Sequence, residues 1–422
     1  MEARSKKNDL SINEETITAV QLRKLLTSKK FLDSPDLLRD ADLTYLLEKL
    51  GRKLFSDEDI KISAYHFRSL VENLKKHSHI SHDQHQELEL CLKSGETYAV
   101  MGLTEDAEKC YEQAIQLSVE LNDAARHARS CRYLGNLKFQ QQGKFKEAIK
   151  CFEKSLEICQ ENGELLDEAY GLNSLSATYF QLASWKKMED VCNQALAICE
   201  QLDEDELIAC INNNLGAMYS LRGLWQKSLA AFQKSLPLFE KLGDYRGLAE
   251  TYNNLATLYR DRDMWHEAGR CFALSIRFAS QIGDTITKAN AILNRAELYV
   301  MMHDLELARK NCFSVIGTFH KLGKGIGEAD ACKLLGVIYT KSERWDLAKK
   351  YFDESLEISK KSHYQLGLAE TYRKYADFHL AQNRNDLAAE SLKRSLKNYR
   401  SLKAHGKARQ VEKFLNKIQT SL

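Results

Sequence analysis

Proline is almost missing from this chain, with two residues in 422, and glycine contributes only 20. With so few breakers, and with Ala, Leu, Glu, Lys, Gln and Ser dominant, long helices can run uninterrupted, so a nearly all-helical protein is expected. A strong charge bias is missing too: 61 basic residues against 59 acidic ones leave about +2. That balance provides no field for nucleic acid or an anionic membrane. No segment approaches the ~18 uninterrupted apolar residues of a membrane span, and MEARSKKNDLSINEE lacks the apolar stretch of a secretory signal. Eleven cysteines, an odd number without a CxxC, argue against a disulfide framework and for a reducing, cytoplasmic setting. Walker, GxSxG and HExxH motifs do not occur; GKGIG (323–327) lacks the Lys-Ser/Thr of a phosphate loop and reads as a turn. No enzyme and no cofactor is expected. With 44% apolar residues, the chain can still bury a core.

What is present is a period. LSATY (175–179), LGAMY (215–219), LATLY (255–259) and LGVIY (335–339) share one pattern, and RAELY (295–299) departs from it only at its first residue. Taking the small residue as a marker gives Gly95, Gly135, Ser176, Gly216, Ala256, Ala296, Gly336 and Ala376, a step of 40 and once 41. A second small slot follows at Ala107, Ala148, Met188, Ser228, Ala268, Ala308, Ala348 and Ala388. Four residues beyond most of these stands an aromatic or a cysteine: Tyr111, Phe152, Cys192, Phe232, Phe272, Cys312 and Phe352, with Leu392 last. Small residues at mid-helix let two antiparallel helices approach, and the aromatics fill the space beside them. Trp185, Trp225, Trp265 and Trp345 cover the turn between. One hairpin cannot bury its own apolar face, so neighbours must stack. The cysteines fall largely into repeat slots, as packing filler does.

This pattern over residues 87–400 resembles the W-x2-L-G-x2-Y…A-x3-F signature of the tetratricopeptide repeat. The resemblance implies an all-α protein: a right-handed α-solenoid of eight helix-turn-helix repeats, or nine if residues 38–77 hold a degenerate one, with helical caps. The period exceeds the common 34, and among relatives with longer units the kinesin light chains and the spindle-orientation adaptors look similar. Linkers such as KLGDYRGLAE (241–250) and KLGKGIGEAD (321–330) stand where proline is usual, and Pro237 should kink or end its helix early. Residues 1–16 read as disordered, 17–86 as a helical N-terminal cap, 87–400 as the array and 401–422 as a C-terminal capping helix. In the N-terminal region, Ser34-Pro35 and Ser56–Asp59 read as helix starts. The cluster His77, His79, His82 and His85 reads as a solvated linker more readily than a metal site.

Asparagine is the unexpected feature. Three residues before the marker stand Asn173, Asn213 and Asn253, and two before it stand Asn214, Asn254 and Asn294. In the repeats it resembles, the first helix lines a concave groove, where amides can grip the backbone of an extended peptide by offering both donors and acceptors. The other reading is that these amides bond to a neighbouring repeat and hold the superhelix in register. Arg129, Arg132 and Asn136 would make one end of the groove basic and receptive to an acidic residue. Arg260, Lys333 and Arg373 lie further along, against Glu250, Glu297, Asp330 and Glu370. Tyr170, Phe139 and Phe180 could offer apolar pockets. The expected function is a non-enzymatic scaffold or adaptor holding an extended segment of a protein or peptide partner, with no nucleic-acid or membrane role. The alternative is a peptide-gated regulator whose N-terminal helical module controls a signalling partner.

Overall fold

The computed structural model describes residues 71, 84–141, 144–402 and 404–419. The expectations for residues 1–16, for most of the N-terminal cap, for the degenerate repeat at 38–77 and for His77, His79 and His82 lie outside the described residues. Seventeen helices and no strands occur among the described residues. The chain divides into two compact units, residues 1–207 and 208–422. The first holds α1 (Gln84–Val100), α2 (Thr104–Glu120), α3 (Ala124–Gln140), α4 (Phe145–Asn162), α5 (Leu165–Gln181) and α6 (Trp185–Leu202). The boundary falls within α7 (Asp205–Leu221). The second unit continues with α8 (Trp225–Leu242), α9 (Tyr245–Arg260), α10 (Trp265–Gln281), α11 (Thr285–Met301) and α12 (Leu305–Lys321). It ends with α13 (Gly325–Lys341), α14 (Trp345–Lys361), α15 (Gln365–Leu380), α16 (Asn385–Ser401) and α17 (His405–Gln419). Odd and even helices alternate as the first and second members of eight hairpins, and α17 closes the series as a capping helix.

The small markers act as the spacing implies. A Cβ built on Gly95 would stand 2.5 Å from Tyr111, on Gly135 2.6 Å from Phe152, on Gly216 2.5 Å from Phe232 and on Gly336 2.7 Å from Phe352. Each missing methyl is therefore room for the ring of the partner helix. Where the partner is smaller, as with Cys312 or Leu392, the marker grows to Ala296 or Ala376, and all four are sealed from solvent. The pair Ala256 and Phe272 is the exception. Volume is conserved across most of these contacts, as a close-packed core requires. All eight residues of the second small slot are fully buried. Trp185, Trp225 and Trp345 set their rings against Phe180, Tyr259 and Phe378 at 5.8, 5.5 and 6.1 Å, fixing the start of each second helix. Nine of the eleven cysteines are buried and all are free thiols. Burial pushes the thiols of Cys312 and Cys332 up to about 12, so they are inert filler rather than nucleophiles.

Two expectations are corrected. The long linkers are not linkers: only Gly243 and Asp244 separate α8 from α9. Asp244 caps α9 by accepting from the N–H groups of Arg246 and Gly247, and Gly247 is a contact residue whose absent Cβ would meet Phe239 at 2.4 Å. Gly327 stands in the same relation to Phe319, so the second half of KLGKGIGEAD is also helix. The longer period is thus spent on helix, with turns whose middle residue adopts a left-handed conformation, as at Gly243 (φ 66°) and Asp203 (φ 54°). Nor does Pro237 end its helix, since α8 runs on to Leu242. The last turn is anchored by Phe239, which is buried with Ala209 and Leu248 and offsets the single hydrogen bond that proline forgoes.

Candidate binding surface

Successive first helices touch one another: α1 with α3, α3 with α5, α9 with α11, α11 with α13 and α13 with α15. Their solvent-reaching side is set by helical period. On α9 it comprises Glu250, Asn253, Thr257 and Arg260, while Thr251, Leu255 and Leu258 are buried on the other side.

On this side the amides pair diagonally across repeats. Asn254 donates from Nδ2 to Oδ1 of Asn213 at 3.2 Å, and Asn294 donates to Oδ1 of Asn253 at 3.0 Å. The slot three before a marker accepts, and the slot two before the next marker donates. The structure therefore brings four of the predicted asparagines together as links between adjacent repeats, which is the register-keeping arrangement. Capacity remains, because each bond uses one N–H and one lone pair of groups that offer two donors and two acceptor sites. Asn213 is 8% exposed, while Asn253, Asn254 and Asn294 are half-buried. Asn173 and Asn214 are half-buried and engaged in polar contacts of their own. Asn212, the first of the three consecutive asparagines, serves its own helix instead, where it is buried and donates to the Ile208 carbonyl at 2.8 Å.

The basic residues expected at one end of a groove are balanced by carboxylates in the folded protein. Arg129 and Arg132 both reach the buried carboxylate of Asp167 on α5, at 3.1 and 3.3 Å. Arg126 on the same helix meets Asp123 and Glu89, so three guanidiniums face three carboxylates. The Asp167 carboxylate raises the Arg129 pKa above its ordinary value despite burial. The Arg132 guanidinium lies between the rings of Tyr133 and Tyr170, 5.0 and 5.1 Å from their centroids. Asn136 is half-buried one turn further along α3. Arg260 is likewise paired, to Glu297 at 2.6 Å and to Asp261. Lys333 bridges Asp330 and Glu370, and Arg373 bonds Asp377 and lies over the ring of Phe414. Of the residues expected to offer apolar pockets, Phe139 packs on Phe145 and Phe180 on Trp185, across the hairpin turn.

Sequence reasoning missed the carboxylates Asp167 and Asp123. The ion pairs that do follow a spacing are others: Arg126 to Glu89, Arg260 to Glu297 and Lys333 to Glu370 are each 37 residues apart, three fewer than the repeat. That offset places oppositely charged residues on facing first helices.

A family model described as Tetratricopeptide repeat matches this sequence at residues 89–161, 167–241, 207–281 and 330–401. No curated protein sequence matches the chain. Several solved structures are similar in fold. The apo quorum sensor NprR from B. thuringiensis is 15% identical, over 80% of this chain and 97% of that one, with a TM-score of 0.53. Aspartyl phosphate phosphatase F from Bacillus subtilis is 11% identical, over 81% and 95%, at 0.55. The Rap conjugation gene regulator of the plasmid pLS20, in complex with the Phr* peptide, is 16% identical, over 68% and 78%, at 0.52.

Proposed function

Since the chain belongs to the tetratricopeptide repeat family, we propose that it is a non-enzymatic interaction scaffold that takes an extended segment of a partner against its first helices. The observation that carries this reading is the row of paired amides at Asn213, Asn254, Asn253 and Asn294 in the second unit. Amides that still have donors and acceptors to give, half-buried at Asn253, Asn254 and Asn294, match the C=O and N–H of an extended backbone, without regard to its side chains. Asn214 extends the row. In the first unit, Asn173, Arg129, Arg132 and Asn136 offer a mixed polar surface, on which an acidic partner residue would compete with Asp167. The likeness in fold to a regulator solved with a peptide bound supports a peptide as partner.

Because the amides also link repeats, the test must separate binding from stability. Wild type and an N213A/N253A variant are used to capture partners, and every captured partner is retested as overlapping synthetic peptides with thermal unfolding measured alongside. Peptides that bind wild type and fail on the still-folded variant support the reading; unchanged binding by a folded variant overturns it.

A second reading, regulation by a bound peptide, is favoured by the likeness in fold to the Rap conjugation gene regulator solved with the Phr* peptide, a likeness that spans 68% of this chain. It requires a change in radius of gyration when peptide is added, measured by small-angle scattering. A scaffold alone needs none.

A further inference from the structure

Away from the amide row, one charged residue breaks the repeat. The position before the marker is Leu134, Leu175, Leu215, Leu255 and Leu335 in five repeats, Ser94 in the first and Tyr375 in the last, but Arg295 in α11. The slot is otherwise uncharged: Leu255 is buried in one cluster with Phe232 of the preceding second helix, and Tyr375 stacks on Phe352 at 5.0 Å. Arg295 places a guanidinium there. Nη2 donates to Oδ1 of Asn311 at 2.9 Å, and the group lies 5.9 Å from the centroid of Tyr299. Nε is sealed from solvent with no hydrogen-bond partner. No carboxylate forms an ion pair with it among the described residues, whereas Arg126, Arg129, Arg132, Arg260 and Arg373 all meet one. A partly buried cation with an orphaned donor is a standing cost to the fold.

Repeat equivalence sets two further cations beside this slot. Two repeats later the equivalent positions enclose a cavity of about 490 Å³ between α14, α15 and α16, with Glu357 and Glu390 at its edge. Here those two positions are Arg277 and Lys310, both exposed and neither in an ion pair among the described residues. None of the positions equivalent to that cavity's lining is Asp or Glu. Asn311 is itself fixed, donating from Nδ2 to the Leu307 carbonyl at 2.8 Å, so its oxygen holds one arm of the guanidinium fork. Nη1, unlike the sealed Nε, is the donor left to meet a ligand from solution.

We propose that Arg295, oriented by Asn311 and flanked by Arg277 and Lys310, forms a site for an oxyanion, either phosphate or carboxylate. An oxyanion offers acceptors only, which is what an arginine lacking its carboxylate takes up. The site does not depend on the peptide reading, because it uses a different side of the first helix.

The test is thermal unfolding of the full chain in chloride, inorganic phosphate or acetate at constant ionic strength. Phosphate, acetate or both raise the wild-type midpoint by about 2 °C or more. A response to phosphate alone assigns phosphate, and a response to both assigns any oxyanion. R295L, which restores the repeat's leucine, loses the response and melts above wild type in chloride. R277A/K310A keeps the fold and at least halves the response. No anion response in wild type, or an undiminished one in R295L, overturns the proposal. If R295L does not fold, R277A/K310A decides: an undiminished response overturns the site and a reduced one upholds it.

Discussion

Between α7 and α11 neighbouring first helices are joined by neutral amides, with the single pair Arg260–Glu297 beside them, and between α13 and α17 chiefly by charges. Asn213 with Asn254 and Asn253 with Asn294 make the first kind of link. Lys333 with Asp330 and Glu370, and Lys407 with the same Glu370, make the second. Both links answer one demand: a polar group half-buried between stacked helices must find a partner. They differ in what is left over. An amide pair retains donors and acceptors and ignores pH, so it can hold register while meeting a ligand. The ionic cluster spends its charges internally, ties the capping helix α17 to the last repeat through Lys407, and responds to acid and salt.

The comparison is broken most forcefully at Lys333, whose side chain is 13% exposed between two carboxylates. K333A leaves Asp330 without its cation and Glu370 with only the exposed Lys407, and is expected to lower stability by about 3 kcal/mol, near the low end for breaking a buried pair. Urea unfolding monitored by hydrogen exchange in α13, α15 and α17 measures it. Acid should reach the same cluster next. Burial alone would raise the Glu370 pKa, but Lys333 and Lys407 outweigh it and hold the carboxyl down at about 2. A carboxyl with a depressed folded value stabilises fully above its ordinary unfolded value of about 4.3 and progressively less as pH falls toward 2. Roughly 2 kcal/mol should be lost from this region across that window. E370Q should abolish the slope, and exchange in α9 should not follow it.

How much of this was legible follows from what each residue answers to. The hairpins, the small-to-aromatic contacts and the buried cysteines could be read because each repeats at 40 residues and depends on size alone. Gly247 and Gly327 were misread as loop residues because a glycine that makes room for Phe239 or Phe319 looks, in one dimension, like one that makes a turn. Pro237 was misread because the anchoring of Phe239 is a tertiary fact. At the surface, periodicity placed the asparagines on facing helices but left ligand contact and register equally open. Asp167 escaped because its partners lie 35 and 38 residues away, not one repeat away.

In the amide region the expected effects are smaller and differ in kind. N253A strands the half-buried donor of Asn294 and should cost about 1 kcal/mol, unchanged between low and high salt. N213L/N254L removes both members of a pair and should be nearly neutral, because no orphan remains. Such a variant, folded at wild-type stability yet unable to bind a captured peptide, would assign the amides to ligand contact as well as register.

The smallest effect is expected at Lys407, which is 52% exposed and bonds Glu370 at 2.8 Å. An exposed pair of this kind contributes only a few tenths of a kcal/mol, and screening at about 1 M salt removes most of that. K407A should therefore leave the global midpoint within error. Fraying of α17, followed by exchange of its amides, should increase at low salt and converge with wild type at high salt. Val411, Leu415 and Ile418 are buried against the last hairpin, and the convergence would show that apolar contact holds the cap while the ion pair only sets its register. Divergence that persists at high salt would instead give Lys407 a packing role through its contact with the Tyr399 ring at 5.8 Å.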